Sequence, residues 1–228
     1  MAGFVSIIGP FTGVNWVVTL ALSFALVQQA VFPEPIRVMP MGDSITWGYD
    51  TPGGYRVHLW NAWRGVQLDF VGSQTANSAA GLPDPQHEGY GGFTTANLRV
   101  FAAARIVAYR PHIVLLLAGT NDIASGVGWQ AAFTSFTELW TTMINADPNV
   151  VLYVGTLTLR TDGWWNLCQI YNSALRNWAI GKPRTILVEL EYILQPQDLW
   201  DTVHPNASGY LKLGNAWAAA IRKRVPYR

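Results

Sequence analysis

Four short stretches of this chain hold the residue types that nucleophilic chemistry needs. Gly42-Asp43-Ser44 places a serine in a turn. A serine hydroxyl is a weak nucleophile: it needs a base within hydrogen-bond reach and N–H groups facing the oxyanion that develops. Asp201-Thr202-Val203-His204 offers such a base. At this spacing the carboxylate can reach the imidazole Nδ1–H, leaving Nε2 to take a proton from a serine. Gly119-Thr120-Asn121-Asp122 puts a side-chain amide where it can donate to an oxyanion, and Asp122 suits a structural turn role. His87-Glu88-Gly89-Tyr90-Gly91-Gly92-Phe93-Thr94 closes a Gly-rich loop, and a glycine there can bring its N–H close to a bound group. Singly, each stretch reads more plainly as a turn, a cap or a flexible loop.

These stretches gain meaning from the elements that must position them. Ile36–Met41 reads as a strand running into Gly42-Asp43-Ser44, and Tyr55–Trp63 as a helix. Val66–Val71 alternates as a strand, and residues 72–93, rich in Gly, Pro, Ser and Asn, form a long loop of the kind that usually carries function. Leu98, Phe101, Ala102, Arg105 and Tyr109 mark a helix. His112–Ala118 is a nearly continuous apolar run, as expected of a strand covered on both faces, and it ends at Gly119. Phe133, Phe136, Trp140 and Met143 recur at helical spacing until Asp147-Pro148 stops them. Val150–Val154, a helix through Leu167, Tyr171 and Trp178, a strand over Thr185–Leu190 and a terminal helix through Leu213, Trp217 and Ile221 complete the alternation. Repeated strand–helix units predict a flavodoxin-like three-layer α/β/α sandwich around a mainly parallel five-stranded sheet. Ligands of such folds bind beyond the carboxyl ends of the strands, where the reactive stretches fall.

Composition narrows the function. The chain has 228 residues; half are apolar and 13% charged, which excludes a disordered chain. A net charge of +1 supplies no global field for nucleic acid or an anionic membrane. One cysteine, Cys168, and four histidines without paired ligand spacing leave no metal site to expect. No charged side chain precedes Glu34, and Trp16–Val27 is mostly apolar over a length that suits a signal-peptide core. Residues 1–30 therefore read as a secretory signal peptide, with an uncleaved anchor or a plain apolar extension as alternatives. Residues 35–228 read as one catalytic domain.

Together the four stretches are similar, in order and placement, to the blocks of the SGNH (GDSL) hydrolase superfamily. Gly42-Asp43-Ser44 matches the nucleophile block, Gly92 the second, Asn121 in Gly119-Thr120-Asn121-Asp122 the third, and Asp201-x-x-His204 the last. The chain resembles more closely the acetyl xylan esterases of carbohydrate esterase family three. The shared residues are Met39-Pro40-Met41-Gly42-Asp43-Ser44, Tyr55-Arg56, Asp69-Phe70-Val71-Gly72-Ser73-Gln74, His87-Glu88-Gly89 and Tyr171-Asn172. It departs at Ile45, where Leu is usual, and at Gly91, where Ser is usual; Gly92 rather than Gly91 is chosen as the donor from the aromatic and Thr that follow. The resemblance implies a catalytic triad of Ser44, His204 and Asp201. It also implies an oxyanion hole of the Ser44 and Gly92 N–H groups with the Asn121 amide, and no cofactor. The substrate it implies is an acetylated polysaccharide or other small ester. With the expected leader and the near-neutral charge, the protein is expected to be a secreted monomer with no nucleic-acid partner and no membrane partner unless the leader is retained. A lipase, lysophospholipase or thioesterase of the same superfamily is the alternative within that class, and a non-catalytic glycan-binding protein the alternative outside it.

The remaining conspicuous residues have structural readings. His58, His87 and His112 are expected to be core or surface histidines, Tyr55 and Arg56 packing and salt-bridging residues, and Cys168 a buried small hydrophobe. Most of the eleven Trp are expected in the core, with Trp47, Trp164 and Trp165 as candidates for stacking on sugar rings.

Overall fold

A computed structural model describes residues 35–63 and 68–223. The expected leader at 1–30 and Val66 and Gln67 of the expected second strand lie outside the described residues. Strand β1 (Ile36–Gly42) passes through a short helix α1 (Ser44–Trp47) into α2 (Gly54–Ala62). Then come β2 (Leu68–Phe70), β3 (Glu88–Gly89), α3 (Thr95–Tyr109), β4 (Ile113–Leu117), α4 (Thr120–Ala124) and α5 (Trp129–Ala146). The chain closes with β5 (Val151–Gly155), α6 (Trp165–Ala179), β6 (Thr185–Val188), a 3-10 turn at Pro196–Asp198, and α7 (Ala207–Arg222).

The strands pair in parallel in the order β2-β1-β4-β5-β6. These are the five strands the apolar runs predict. The two-residue β3, inside the expected long loop, adds a sixth on β1. Strand order reverses between β1 and β4, which makes the crevice beyond their carboxyl ends the natural ligand position.

Strand β4 shows why the layers form. Its residues alternate sides: Val114 and Leu116 pack with α3, α5 and α6, whereas Ile113, Leu115 and Leu117 pack with α2 and α7. All five are buried, so the unbroken apolar run is what a doubly covered strand requires. Helix α5 ends where expected, with Asp147 as its C-cap before Pro148. Phe136, Tyr171 and Trp178 meet edge-on between α5 and α6, an arrangement favoured by the ring quadrupoles.

The long loop is pinned rather than loose. The buried Arg56 guanidinium donates to the carbonyls of Pro85, Trp47 and Asn77 at 2.8–3.2 Å. It is the packing residue expected, but its partners are backbone oxygens and not the carboxylate of a salt bridge. Buried His87 accepts the Gly89 N–H at Nδ1, so its Nε2–H donates to Ala76 O. Burial, and then the charge of Arg56, push the His87 pKa down to about 4, so the ring stays neutral and structural. Glu88, also buried, accepts from Ser73 N–H and Tyr90 OH at 2.5 and 2.6 Å.

Helices α2 and α7 cross closely at Gly214. A Cβ there would lie 2.5 Å from His58 Cβ and 2.7 Å from Tyr55 O. Gly214→Ala should therefore destabilise the domain by about 1–3 kcal/mol through overpacking, outweighing the ~1 kcal/mol by which Ala is the better helix former. Urea unfolding reads the difference; an unchanged midpoint would mean the helices separate at no cost.

Candidate active site

Parallel register brings three of the four stretches to one rim. Gly42 pairs with Gly89 on one side and with Leu117 on the other. Ser44, Gly92 and Asn121 therefore leave the sheet within a few residues of one row. Asp43 caps α1, its Oδ1 accepting the Ile45 N–H at 2.9 Å. Ser44 is the first residue of α1, so its N–H lies outside the helix's own hydrogen-bond ladder. Gly92 has φ +77°, and a Cβ there would meet nothing within 4 Å. Glycine is thus required by the backbone conformation and not by packing. Gly91 faces equally open space and carries no such strain. The Asn121 amide donates to Phe93 O at 2.9 Å, binding the third stretch to the second and keeping one N–H in hand. Asp122 accepts from the Thr95 N–H at 2.9 Å and the Thr95 hydroxyl at 2.5 Å, so its role is structural but ties α4 to the start of α3 rather than closing its own turn.

The fourth stretch arrives from the far end of the chain. A bridge between Leu199 and Pro205 and a bond from Trp200 N–H to His204 O close a tight loop. Asn206 caps α7 by accepting the Ser208 and Gly209 N–H groups, and its amide donates to Gln197 O. The nitrogen of the Asn206-Ala207-Ser208 sequon is thus committed to the fold. In this loop Asp201 Oδ2 lies 2.7 Å from His204 Nδ1, and His204 Nε2 lies 2.9 Å from Ser44 Oγ. A carboxylate only accepts, so Nδ1 carries the proton and Nε2 accepts from the serine. Partial burial raises the Asp201 pKa, but hydrogen bonds from the His204 N–H, the His204 ring and the Val203 N–H outweigh it and hold Asp201 below the usual carboxylate range.

Two residues at this rim escaped the sequence reading. Tyr49 stacks on His204, with ring centroids 4.1 Å apart and planes 27° apart, while staying 42% exposed. Only its place five residues after Ser44 hints at this. Buried Arg160 donates to Thr120 O and Oγ1 at 3.0 Å and pairs with Asp162; next to it, the Thr161 N–H donates to Thr202 O at 2.8 Å. The β5–α6 loop thereby braces both the Asn121 turn and the His204 loop. Of the tryptophans considered for sugar stacking, Trp164 and Trp165 pack against the core, and Trp47 is half-buried. Trp200, beside Asp201, is 59% exposed.

Residues 41–212 match the GDSL-like Lipase/Acylhydrolase family. That is most of the chain, and the chain belongs to this family. A multidomain esterase of Ruminococcus flavefaciens is 30% identical over 217 residues, covering 82% of this chain and 28% of that protein, so the chain spans little more than a quarter of that relative. A Clostridium thermocellum family 3 carbohydrate esterase shares 27% identity with a TM-score of 0.72, over 83% of this chain and 96% of that one. A family 3 carbohydrate esterase from Talaromyces cellulolyticus shares the fold at 22% identity and a TM-score of 0.68, over 82% of this chain and 97% of that one.

Beneath Ser44, burial raises the Asp43 carboxyl pKa to about 7; the Ile45 N–H opposes the shift and the neighbouring Asp122 charge adds to it. The folded value exceeds the unfolded one, so the native state holds the extra proton and stability falls as pH rises from about 4 to about 7. Asp43→Asn keeps an acceptor for Ile45 but cannot ionise. Its urea midpoint should exceed that of the unaltered protein at about pH 8, with the gap closing toward about pH 4; identical pH dependence in the two proteins would contradict the assignment.

Proposed function

We propose that this chain is a secreted serine esterase that removes short acyl groups, acetyl above all, from carbohydrate such as xylan. The observation that carries the reading is the unbroken hydrogen-bonded series from Ser44 through His204 to Asp201. Ser44 Oγ attacks the ester carbonyl while His204 Nε2 takes its proton. Asp201 holds the ring's tautomer and orientation and stabilises the imidazolium that forms. The Ser44 and Gly92 N–H groups and the free Asn121 N–H receive the oxyanion. The carbonyl–alkoxide bond then breaks, and His204 returns its proton to the departing sugar hydroxyl. Water attacks the acyl-serine, giving its proton to His204 and finally restoring the Ser44 hydroxyl.

Support for a carbohydrate ester comes from the likeness to the Clostridium thermocellum family 3 carbohydrate esterase. The preference for a short acyl group rests on the loop at residues 72–93, which is small and polar where a lipase would carry an apolar lid. Export rests on the apolar Trp16–Val27 segment.

Ser44→Ala should abolish hydrolysis of p-nitrophenyl acetate and labelling by an organophosphorus probe while leaving unfolding unchanged. Asn121→Ala should lower kcat by about 10²–10³, the cost of one oxyanion donor. Faster turnover of the decanoate than of the acetate ester would move the reading to a lipase, and failure of Ser44 to label would remove catalysis altogether. Acetate release from acetylated xylan checks the polymer.

A further inference from the structure

We propose that Tyr49 is a positioning residue for His204 and that its stacked ring matters chiefly in deacylation. The inference rests on the esterase reading and extends it to a residue outside the triad.

The His204 ring turns only about its Cα–Cβ and Cβ–Cγ bonds, and hydrogen bonds at both nitrogens restrain that rotation. Asp201 at Nδ1 and Ser44 at Nε2 supply those two restraints. Tyr49 supplies a third, because a ring stacked at 4.1 Å obstructs rotation of the imidazole out of its plane. Its own placement is tied to the nucleophile. The Tyr49 N–H donates to Ser44 O at 3.0 Å, and Tyr49 O accepts from the buried Tyr210 hydroxyl at 3.3 Å. The turn that presents the serine hydroxyl thus also presents the phenol to the imidazole face.

The two half-reactions use these restraints unequally. Before acylation the Ser44 hydroxyl holds Nε2. Once Ser44 Oγ is esterified it has no proton to donate, and that restraint is gone. The tethered imidazole must then orient and deprotonate water with Asp201 and Tyr49 as the contacts that keep its rotation in check. Its proton comes from the attacking water, whose oxygen bonds to the acyl carbon; the proton passes to Ser44 Oγ as the acyl–serine bond breaks. A ring free to rotate loses alignment most severely at this step.

The test uses p-nitrophenyl acetate, whose good leaving group makes acylation fast. Slowing deacylation alone lowers kcat and KM together and leaves kcat/KM in place. Tyr49→Ala should lower kcat by about tenfold or more, as expected of a misaligned catalytic group, with KM falling in parallel. The pre-steady-state burst of about one p-nitrophenol per enzyme, which fast acylation gives the parent as well, should persist. Tyr49→Phe keeps the ring and should restore the parent kinetics. Tyr49→Leu keeps an apolar side chain without a flat face and should behave as Tyr49→Ala, which keeps the test open if the alanine variant folds poorly.

Unchanged kinetics in Tyr49→Ala and Tyr49→Leu would overturn the inference. So would a fall in kcat/KM as large as that in kcat, or a Tyr49→Phe variant as slow as Tyr49→Ala. A merely structural role would lower active protein and kcat without moving KM. Ser44 labelling in the unaltered protein separates the two proposals: no labelling defeats the esterase reading, whereas labelling with unmoved Tyr49 variants defeats only this inference.

Discussion

The hydrogen bond between the Ser44 hydroxyl and the His204 imidazole joins residues 160 positions apart, and the rest of the structure is arranged around it. Such a bond contributes little to stability by itself, since water competes for both partners. It persists because each partner is held independently. Ser44 is fixed by the end of β1 and by the Asp43 cap; His204 is fixed by the Leu199–Pro205 bridge and by Asp201 Oδ1, which accepts both the Val203 and His204 N–H groups at 2.7 Å. The sheet contributes entropy already spent: ordering occurs in folding and need not occur again when substrate arrives.

Behind the rim lies a group of buried charges that a hydrophobic core alone would not tolerate. Asp122 is satisfied by Thr95 and Arg160 by Thr120 and Asp162. Asp43 instead resolves its burial by holding its proton near neutral pH. These groups anchor the starts of α1, α3 and α4, the three helices that open at the site. The long loop belongs to the same scheme. Arg56, His87 and Glu88 hold it from inside, so the exposed stretch around Gly92 is carried on a rigid base.

Much of this was legible in the residues. The alternation of apolar runs predicted five parallel strands between two helical layers, because a strand covered on both faces must be apolar throughout and a helix covered on one must repeat every three or four positions. The four reactive stretches could be placed at strand ends for the same reason. Local chemistry was readable too: Asp147-Pro148 ended a helix. What is local in sequence is governed by short-range sterics and capping, which a linear reading captures.

Contacts between distant residues obey a different constraint. That β3 would pair with β1, that Arg56 would bind carbonyls rather than a carboxylate, that Arg160 would brace Thr120, and that Tyr49 would lie flat on His204 depend on where side chains end after the layers close. Arginine and tyrosine reach several ångströms in many directions, and nothing in their neighbours along the chain selects the partner. The sequence by itself determined which groups could react and the layered fold that gathers them. Only the tertiary structure decided which other side chains would steady them, because that choice is made by packing among elements whose separation along the chain carries no information about their distance in space.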